Sequence, residues 1–315
     1  MSEYAPIVLF VYNRPDHMTR TLSALARNDL ARKSDLYIFS DAARDEAARE
    51  KVEEVRRRID TIAGRGWFRN VFIEKAEKNR GLAASVIHGV TRVIERHGRA
   101  IVMEDDLLSA PDFLTFMNEA LEFYRGDETI GSISGYSPLK QLPSKYGKDI
   151  WSACRSSSLG WGTWLDRWCQ VKWHIDDFEE FSRDKKNRKG FDACGSDRFD
   201  RLRRQIEQGA ESWSVRFGYW QYKAGKNTIF PARTRIQHIG WDGSGVHGTY
   251  TGALDTHISE KPIPFHLEPV TPDPDIMVML RDVYSGSYLS RSSRWLRNNG
   301  LETLDSLLRM LMRKR

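Results

Sequence analysis

Four short apolar runs dominate the first third of the chain, each followed by polar residues and then by a segment of helical periodicity. Ile7-Val8-Leu9-Phe10-Val11 is unbroken and rich in β-branched side chains, the pattern of a strand buried on both faces of a parallel sheet. Leu36-Tyr37-Ile38-Phe39, Val71-Phe72-Ile73 and Ala100-Ile101-Val102-Met103 repeat it. Asn13-Arg14-Pro15-Asp16 breaks the first run, and a helix is predicted to about Ala26. Further helices are predicted from Glu46 to Ile62, from Asn79-Arg80-Gly81-Leu82 to about Glu95, and from Pro111-Asp112 to about Tyr124. This alternation predicts βαβ units: an α/β fold with a mostly parallel central sheet and helices on both faces.

From about Gly131 the pattern loosens. Ile130 to Ser134 predicts a fifth strand, Ser212 to Lys223 a helix, and Asn227 to Pro231 a short strand. Trp151 to Trp168 is rich in Ser, Gly and Trp, and Asp176 to Gln208 is highly charged and partly helical in pattern. Gly240 to Gly252 holds five glycines in thirteen residues and reads as a mobile loop, and Pro262 to Pro274 as extended chain. The resulting division is one domain over residues 1–288, with halves 1–130 and 131–260, and a basic amphipathic tail over 289–315.

Ligands of open α/β sheets bind outside the carboxyl ends of the strands. Here those ends are Asn13-Arg14, Ser40-Asp41, the stretch from Glu77 to Arg80, and Glu104-Asp105-Asp106. All four are polar and should meet on one edge. Three adjacent carboxylates with no basic residue between them repel one another unless a cation lies nearby. If the strand continues, positions 104 and 106 share a face. One carboxylate can then hold a metal while a neighbour takes a sugar or ribose hydroxyl. Hard cations such as Mg²⁺ or Mn²⁺ suit that oxygen set and keep positions for phosphate oxygens. The bland alternative is a solvated acidic turn before the next helix.

Composition narrows the field. At 315 residues, with 40% apolar and 29% charged residues, the chain reads as soluble and globular, large enough for a sizeable core. A net charge of +6 suits anionic ligands or an anionic membrane surface and is too mild to imply nucleic acid. Cys154, Cys169 and Cys194 form neither a disulfide framework nor a zinc spacing, which fits a reducing cytoplasm. The run from Pro6 to Tyr12 lacks the features of a signal peptide, and no stretch approaches the roughly 20 apolar residues of a membrane span.

Residues 99 to 117, RAIVMEDDLLSAPDFLTFM, resemble the metal-binding segment of N-acetylglucosaminyltransferase I, an inverting, metal-dependent glycosyltransferase of the GT-A fold. The chain also resembles bacterial glycosyltransferases of polysaccharide assembly. That second resemblance rests on Tyr12-Asn13-Arg14-Pro15, Asn79-Arg80-Gly81-Leu82, Gly160-Trp161-Gly162-Thr163-Trp164, Glu211-Ser212-Trp213 and the segment Ile239 to His247. It spans roughly residues 5 to 250.

The resemblance implies a GT-A-like domain and a nucleotide-sugar donor, UDP-linked. The acceptor would be a glycan or lipid-linked glycan, the cation Mn²⁺ or Mg²⁺, and the setting bacterial surface polysaccharide assembly. By it, Asp106 is the metal ligand, Asp105 contacts ribose or supports the metal, and Glu104 contacts the donor sugar. Arg14 reaches the diphosphate or nucleotide, and Asp41 accepts the uracil N–H. Asn79 and Arg80 line the nucleotide pocket or cap their helix. Glu211, where relatives carry Asp, is the base that deprotonates the acceptor, with Asp242 and Asp197 as fallbacks.

Other positions stay open between two roles. His247 contacts pyrophosphate or metal, or is structural, and His238 is read as structural. Arg233 and Arg235 bind diphosphate or face solvent. Trp161 and Trp164, read as lying in a Gly-flanked turn, stack on a sugar or pack in the core. The tail, with Leu301, Leu304, Leu307, Leu308 and Leu311 on one face, docks on an anionic membrane over residues 290–315 or packs on protein. The rival functions are a sugar nucleotidyltransferase and a non-catalytic carbohydrate-binding or scaffold protein. The first usually carries a Gly-rich phosphate loop, which Tyr12-Asn13-Arg14-Pro15 is not; the second leaves the acidic cluster unexplained.

Overall fold

The computed structural model describes residues 3–240, 256–286, 288–298, 301 and 303–305. In chain order the first half contains β1 (Ile7–Val11), α1 (Pro15–Ala26), β2 (Asp35–Ser40), α2 (Glu46–Asp60), β3 (Asn70–Lys75), α3 (Gly81–His97), β4 (Arg99–Glu104), β5 (Leu107–Ser109) and α4 (Phe113–Phe123). The second half contains β6 (Ile130–Ser134), β7 (Ile150–Ala153), β8 (Trp161–Trp164), α5 (Leu165–Trp168), α6 (Phe178–Arg183), α7 (Lys185–Phe191) and α8 (Arg198–Glu207). It closes with α9 (Trp213–Lys223), β9 (Asn227–Pro231), β10 (Ile236–His238), α10 (Pro274–Ser285) and α11 (Tyr288–Asn298).

Among the described residues the central sheet has eight strands in the order β3-β2-β1-β4-β8-β6-β9-β7. Pairing is parallel from β3 to β4 and between β6 and β9. β8 runs antiparallel to both β4 and β6, and β7 antiparallel to β9. The sheet is therefore mixed but mostly parallel, as the first-half pattern predicts. β5 and β10 form a separate antiparallel ribbon with His238 opposite Leu107.

The period-2 alternation of each central strand feeds two cores. On one face Ile7, Leu9, Val11, Ile38, Ile101 and Met103 pack with Met18 and Leu22 of α1, Ile59 of α2 and Met117 of α4. On the other, Val8, Phe10 and Val102 pack with Val86, Val90 and Val93 of α3 and with a tryptophan cluster. Trp161 stacks on Trp213 at 4.8 Å between ring centroids and lies 5.9 Å from Trp168. Gly89 of α3 is required here, because a Cβ would approach the Phe10 ring to 2.8 Å.

Three expectations need correction. The segment around Trp161 and Trp164 is not a turn but β8, the strand that joins the two halves of the sheet. Arg235 is neither solvent-facing nor aimed at a ligand. It is fully buried, bonded to Asp112 at 2.9 Å and stacked over Phe116 and Phe265. Cys154 and Cys194, read as unpaired, form a disulfide. The fold brings the end of β7 beside the turn after α7, a proximity invisible in their spacing of 40 residues. The argument from cysteine count for a reducing compartment loses its basis. Among the described residues no helix is long and apolar enough to cross a membrane.

Candidate active site

The polar segments after β1 and β4 meet as the topology requires. The backbone N–H of Tyr12 donates to Asp105 Oδ2 at 3.0 Å, and Thr21 Oγ1 of α1 donates to the Asp105 carbonyl at 2.8 Å. Arg14 Nη1 reaches Asp106 Oδ2 at 2.7 Å. Arg14 sits at the helix entry because Pro15 fixes the first turn of α1 immediately after it. The chain that leaves β4 is held from the other side by the β5–β10 ribbon. Ile239 N–H donates to the Asp106 carbonyl at 2.9 Å, and His238 Nε2 lies 3.4 Å from Asp106 Oδ2. Gly240 lies against this ion pair. A Cβ there would run into Asp106 Oδ2 and approach Arg14 Nη1 to 2.6 Å, so no larger residue fits without displacing them.

The charges in this cleft are unbalanced. Burial pushes the Glu104 carboxyl up to about 8, and the charges of Asp106 and Asp105 add to it. Asp105 is pushed up to about 7 by burial and by Asp106, despite the bond from Tyr12 N–H. Both side chains keep some exposed surface although protein surrounds them, as at a cleft floor. Asp106 behaves differently. Burial raises it too, but the His238 hydrogen bond and the charges of His238, Arg14 and His17 outweigh that and hold it below its ordinary value.

Such a cluster makes the protein pH-sensitive. Glu104 and Asp105 have folded-state values above their ordinary 4.5 and 3.8, so the native state binds more protons than the unfolded one across that window. Stability is then fully present at low pH in the window and is lost as pH rises towards about 8. Melting of the ligand-free protein should shift to lower temperature between about pH 5 and 8, and Glu104→Gln should flatten the slope. A wild-type melting temperature that rises over this range would contradict the assignment.

Among the described residues, no group of three or more His, Cys, Asp or Glu side chains is arranged to enclose a metal. The residues nonetheless fit a hard divalent cation held from one side. A carboxylate held towards its ionised form, Asp106, is adjacent to two carboxyls raised by burial and by its charge, an oxygen-donor set that suits a hard cation. A cation held by Asp106 would leave its remaining positions to a ligand's own oxygens.

The other proposed contacts separate. Asp41 follows β2 at the same edge, but its carboxylate is engaged by protein donors: the backbone N–H groups of Ala42, Arg80 and Gly81, and Asn79 Nδ2. It ties the start of α3 to the end of β2, which is a reason other than base recognition for a carboxylate at this place. Asn79 also donates to the Ala42 carbonyl at 2.7 Å, and Arg80 pairs with Glu74 at 3.1 Å. Asn79 and Asp41 thus brace the junction of β2 and α3, the helix-start alternative for Asn79, and Arg80 is exposed. Trp161 is 1% exposed with its ring against Trp213, so its face is closed to a sugar and the core-packing alternative holds.

Glu211 is exposed and immediately precedes the residue capping α9, whose first residue is Trp213. The Trp213–Trp161 stack fixes this helix start beside β8, where Trp161 pairs with Val102, two residues before Glu104. The stack sets Trp213, two residues after Glu211, beside the strand next to β4. Asp197 is excluded as the alternative base. Although burial raises it, the charge and two hydrogen bonds of Arg155, both at 2.8 Å, hold it down to about 2. Asp242 and His247 lie outside the described residues. His238 is the site residue that sequence reasoning placed in a structural role. Its position opposite Leu107 depends on a three-residue ribbon with no periodicity to betray it.

No family model matches the chain, and no curated protein matches it. Among solved structures it is similar to S. aureus TarS, at 10% identity and a TM-score of 0.41, over 75% of this chain and 37% of that one. It is also similar to a UDP-glucose pyrophosphorylase complexed with UDP-glucose, at 11% identity and a TM-score of 0.34, over 72% of this chain and 90% of that one. The chain spans little more than a third of the TarS chain. At these values neither likeness identifies an activity.

Proposed function

We propose that the chain is a metal-dependent, inverting glycosyltransferase that moves a sugar from a nucleotide diphosphate donor, UDP-linked, to a glycan or lipid-linked glycan hydroxyl. The observation that carries this reading is the meeting of Arg14 with the Glu104-Asp105-Asp106 cluster at the carboxyl edge of the parallel strands. A surplus of carboxylates and one well-placed guanidinium suit a ligand that brings both a divalent cation and a diphosphate.

In this reading Asp106 holds Mn²⁺ or Mg²⁺, which when bound offsets the charge that develops on the departing diphosphate. Arg14 then turns its guanidinium from Asp106 to a phosphate oxygen, a bidentate partner it suits better than a lysine would. Tyr12 N–H fixes the Asp105 carboxylate towards the nucleotide side. Glu104, on the α3 face of the sheet with Val102, is placed to orient the donor sugar from the side on which α9 begins. Glu211 takes the proton of the acceptor hydroxyl as it attacks the anomeric carbon opposite the leaving diphosphate. Its exposure at a helix start suits a base that meets an acceptor arriving from solution.

A thermal-shift screen of nucleotide sugars, with and without Mn²⁺, tests the proposal. One donor should raise the melting temperature by several degrees, and only with the metal, since a hundredfold excess over Kd adds about 2.7 kcal/mol. With an acceptor, that donor should yield nucleoside diphosphate. Consumption of pyrophosphate to form a nucleoside triphosphate would instead mark a nucleotidyltransferase, and the absence of any shift would overturn the nucleotide-sugar reading.

A further inference from the structure

For the tail, the sequence leaves membrane docking and packing on protein open; its last basic residues, from Arg309 to Arg315, lie outside the described residues, and two earlier arginines are engaged by protein. Arg294 of α11 donates to Ser196 Oγ at 3.0 Å and to the Ser285 carbonyl. Arg297 donates to Ser293 Oγ at 2.7 Å, pairs with Asp305 at 2.9 Å and reaches Asp200 of α8 at 3.5 Å. The polar side of α11 therefore faces protein, with Ser293 buried against Asp305. Apolar side chains are left outward: Trp295 is 60% exposed, Leu304 49% and Leu301 36%.

Positive charge lies on the neighbouring α7. Arg188 of α7 donates to the Asn298 carbonyl at 3.4 Å, which sets α7 beside the end of α11. Lys185 and Lys189 are four residues apart on one side of α7, and Lys186 lies next to them; all three are exposed. None of the three has an ion-pair partner among the described residues, whereas the preceding Arg183 is paired with Glu179. Asp184, the acid at the head of α7, is turned to the backbone N–H groups of Lys186 and Asn187.

We propose that α7 and α11 together form a docking surface for an anionic phospholipid membrane, with the lysines of α7 meeting headgroups and Trp295 seated at the interface. Charge complementarity selects the occupant. Exposed lysines on α7, together with the exposed indole and leucines on and after the α11 it contacts, match a surface that is anionic outside and apolar within. The inference is independent of the proposed activity, because it concerns binding alone.

The test is co-sedimentation of the full chain with phosphatidylglycerol–phosphatidylcholine vesicles, compared with phosphatidylcholine alone. Binding should require phosphatidylglycerol and weaken as salt is raised. Lys185→Glu with Lys189→Glu should lower the partition constant roughly tenfold or more, and Trp295→Ser should lower it severalfold with less salt dependence. Both changes lie at exposed positions, and unchanged melting and donor binding would confirm that the variants are folded. Equal binding to neutral vesicles, no vesicle binding, or full binding by the lysine variant would each overturn the proposal. Failure of the donor screen would leave it untouched.

Discussion

Asp106→Ala should abolish the metal-dependent thermal shift with nucleotide sugars and reduce transfer by about 10²–10³ or more, the scale of removing one positioned electrostatic group. The fold should survive. Asp106 is one of three carboxylates that repel each other, and its loss relieves Glu104 and Asp105, each raised in part by its charge. Arg14 keeps a counter-charge, since it already acts on both neighbours. The combination of lost metal response and a melting temperature within a few degrees of wild type distinguishes a ligand-holding carboxylate from a structural one. A variant that still binds a nucleotide sugar in a Mn²⁺-dependent manner would remove Asp106 from the site.

Glu211→Gln should have the complementary signature. It preserves size and hydrogen bonding at the start of α9 but cannot accept a proton. Donor binding and melting should be unchanged, and transfer should fall by about 10²–10⁴, the usual contribution of a general base. Glu211→Asp, one methylene shorter, should recover part of the rate because the carboxylate is restored. If the Gln variant transfers at the wild-type rate, the base lies elsewhere. Asp197 would not be the substitute, given its engagement with Arg155.

The first half of the fold was legible because its signal is local. β1 matches its apolar run residue for residue, and α1, α2 and α3 start within two residues of their sequence cues. The convergence of Arg14 with Asp106 followed from topology alone. The second half was harder to read for a physical reason: its elements are short and their partners distant. β8 is four residues of Trp, Gly and Thr whose strand character comes from β4 and β6 on either side, not from alternation. The same holds for β10 and His238. Asp41 shows the opposite case, a residue at the carboxyl end of β2 as the pattern predicts, whose hydrogen bonds turn inward to the protein.

The reversed strand β8 has a consequence for how the chain is made. β1 to β4 are complete by residue 104 and pair in a row with one another, but the outer edge of β4 pairs with residues 161–164. A nascent chain emerging in order therefore holds an assembled four-stranded half whose β4 edge stays bare for some sixty residues of synthesis. That edge runs up to the acidic residues of the site, and their mutual repulsion protects it from pairing with a second chain. The carboxylates gathered at the candidate site of the finished fold thus also shield the half-built sheet.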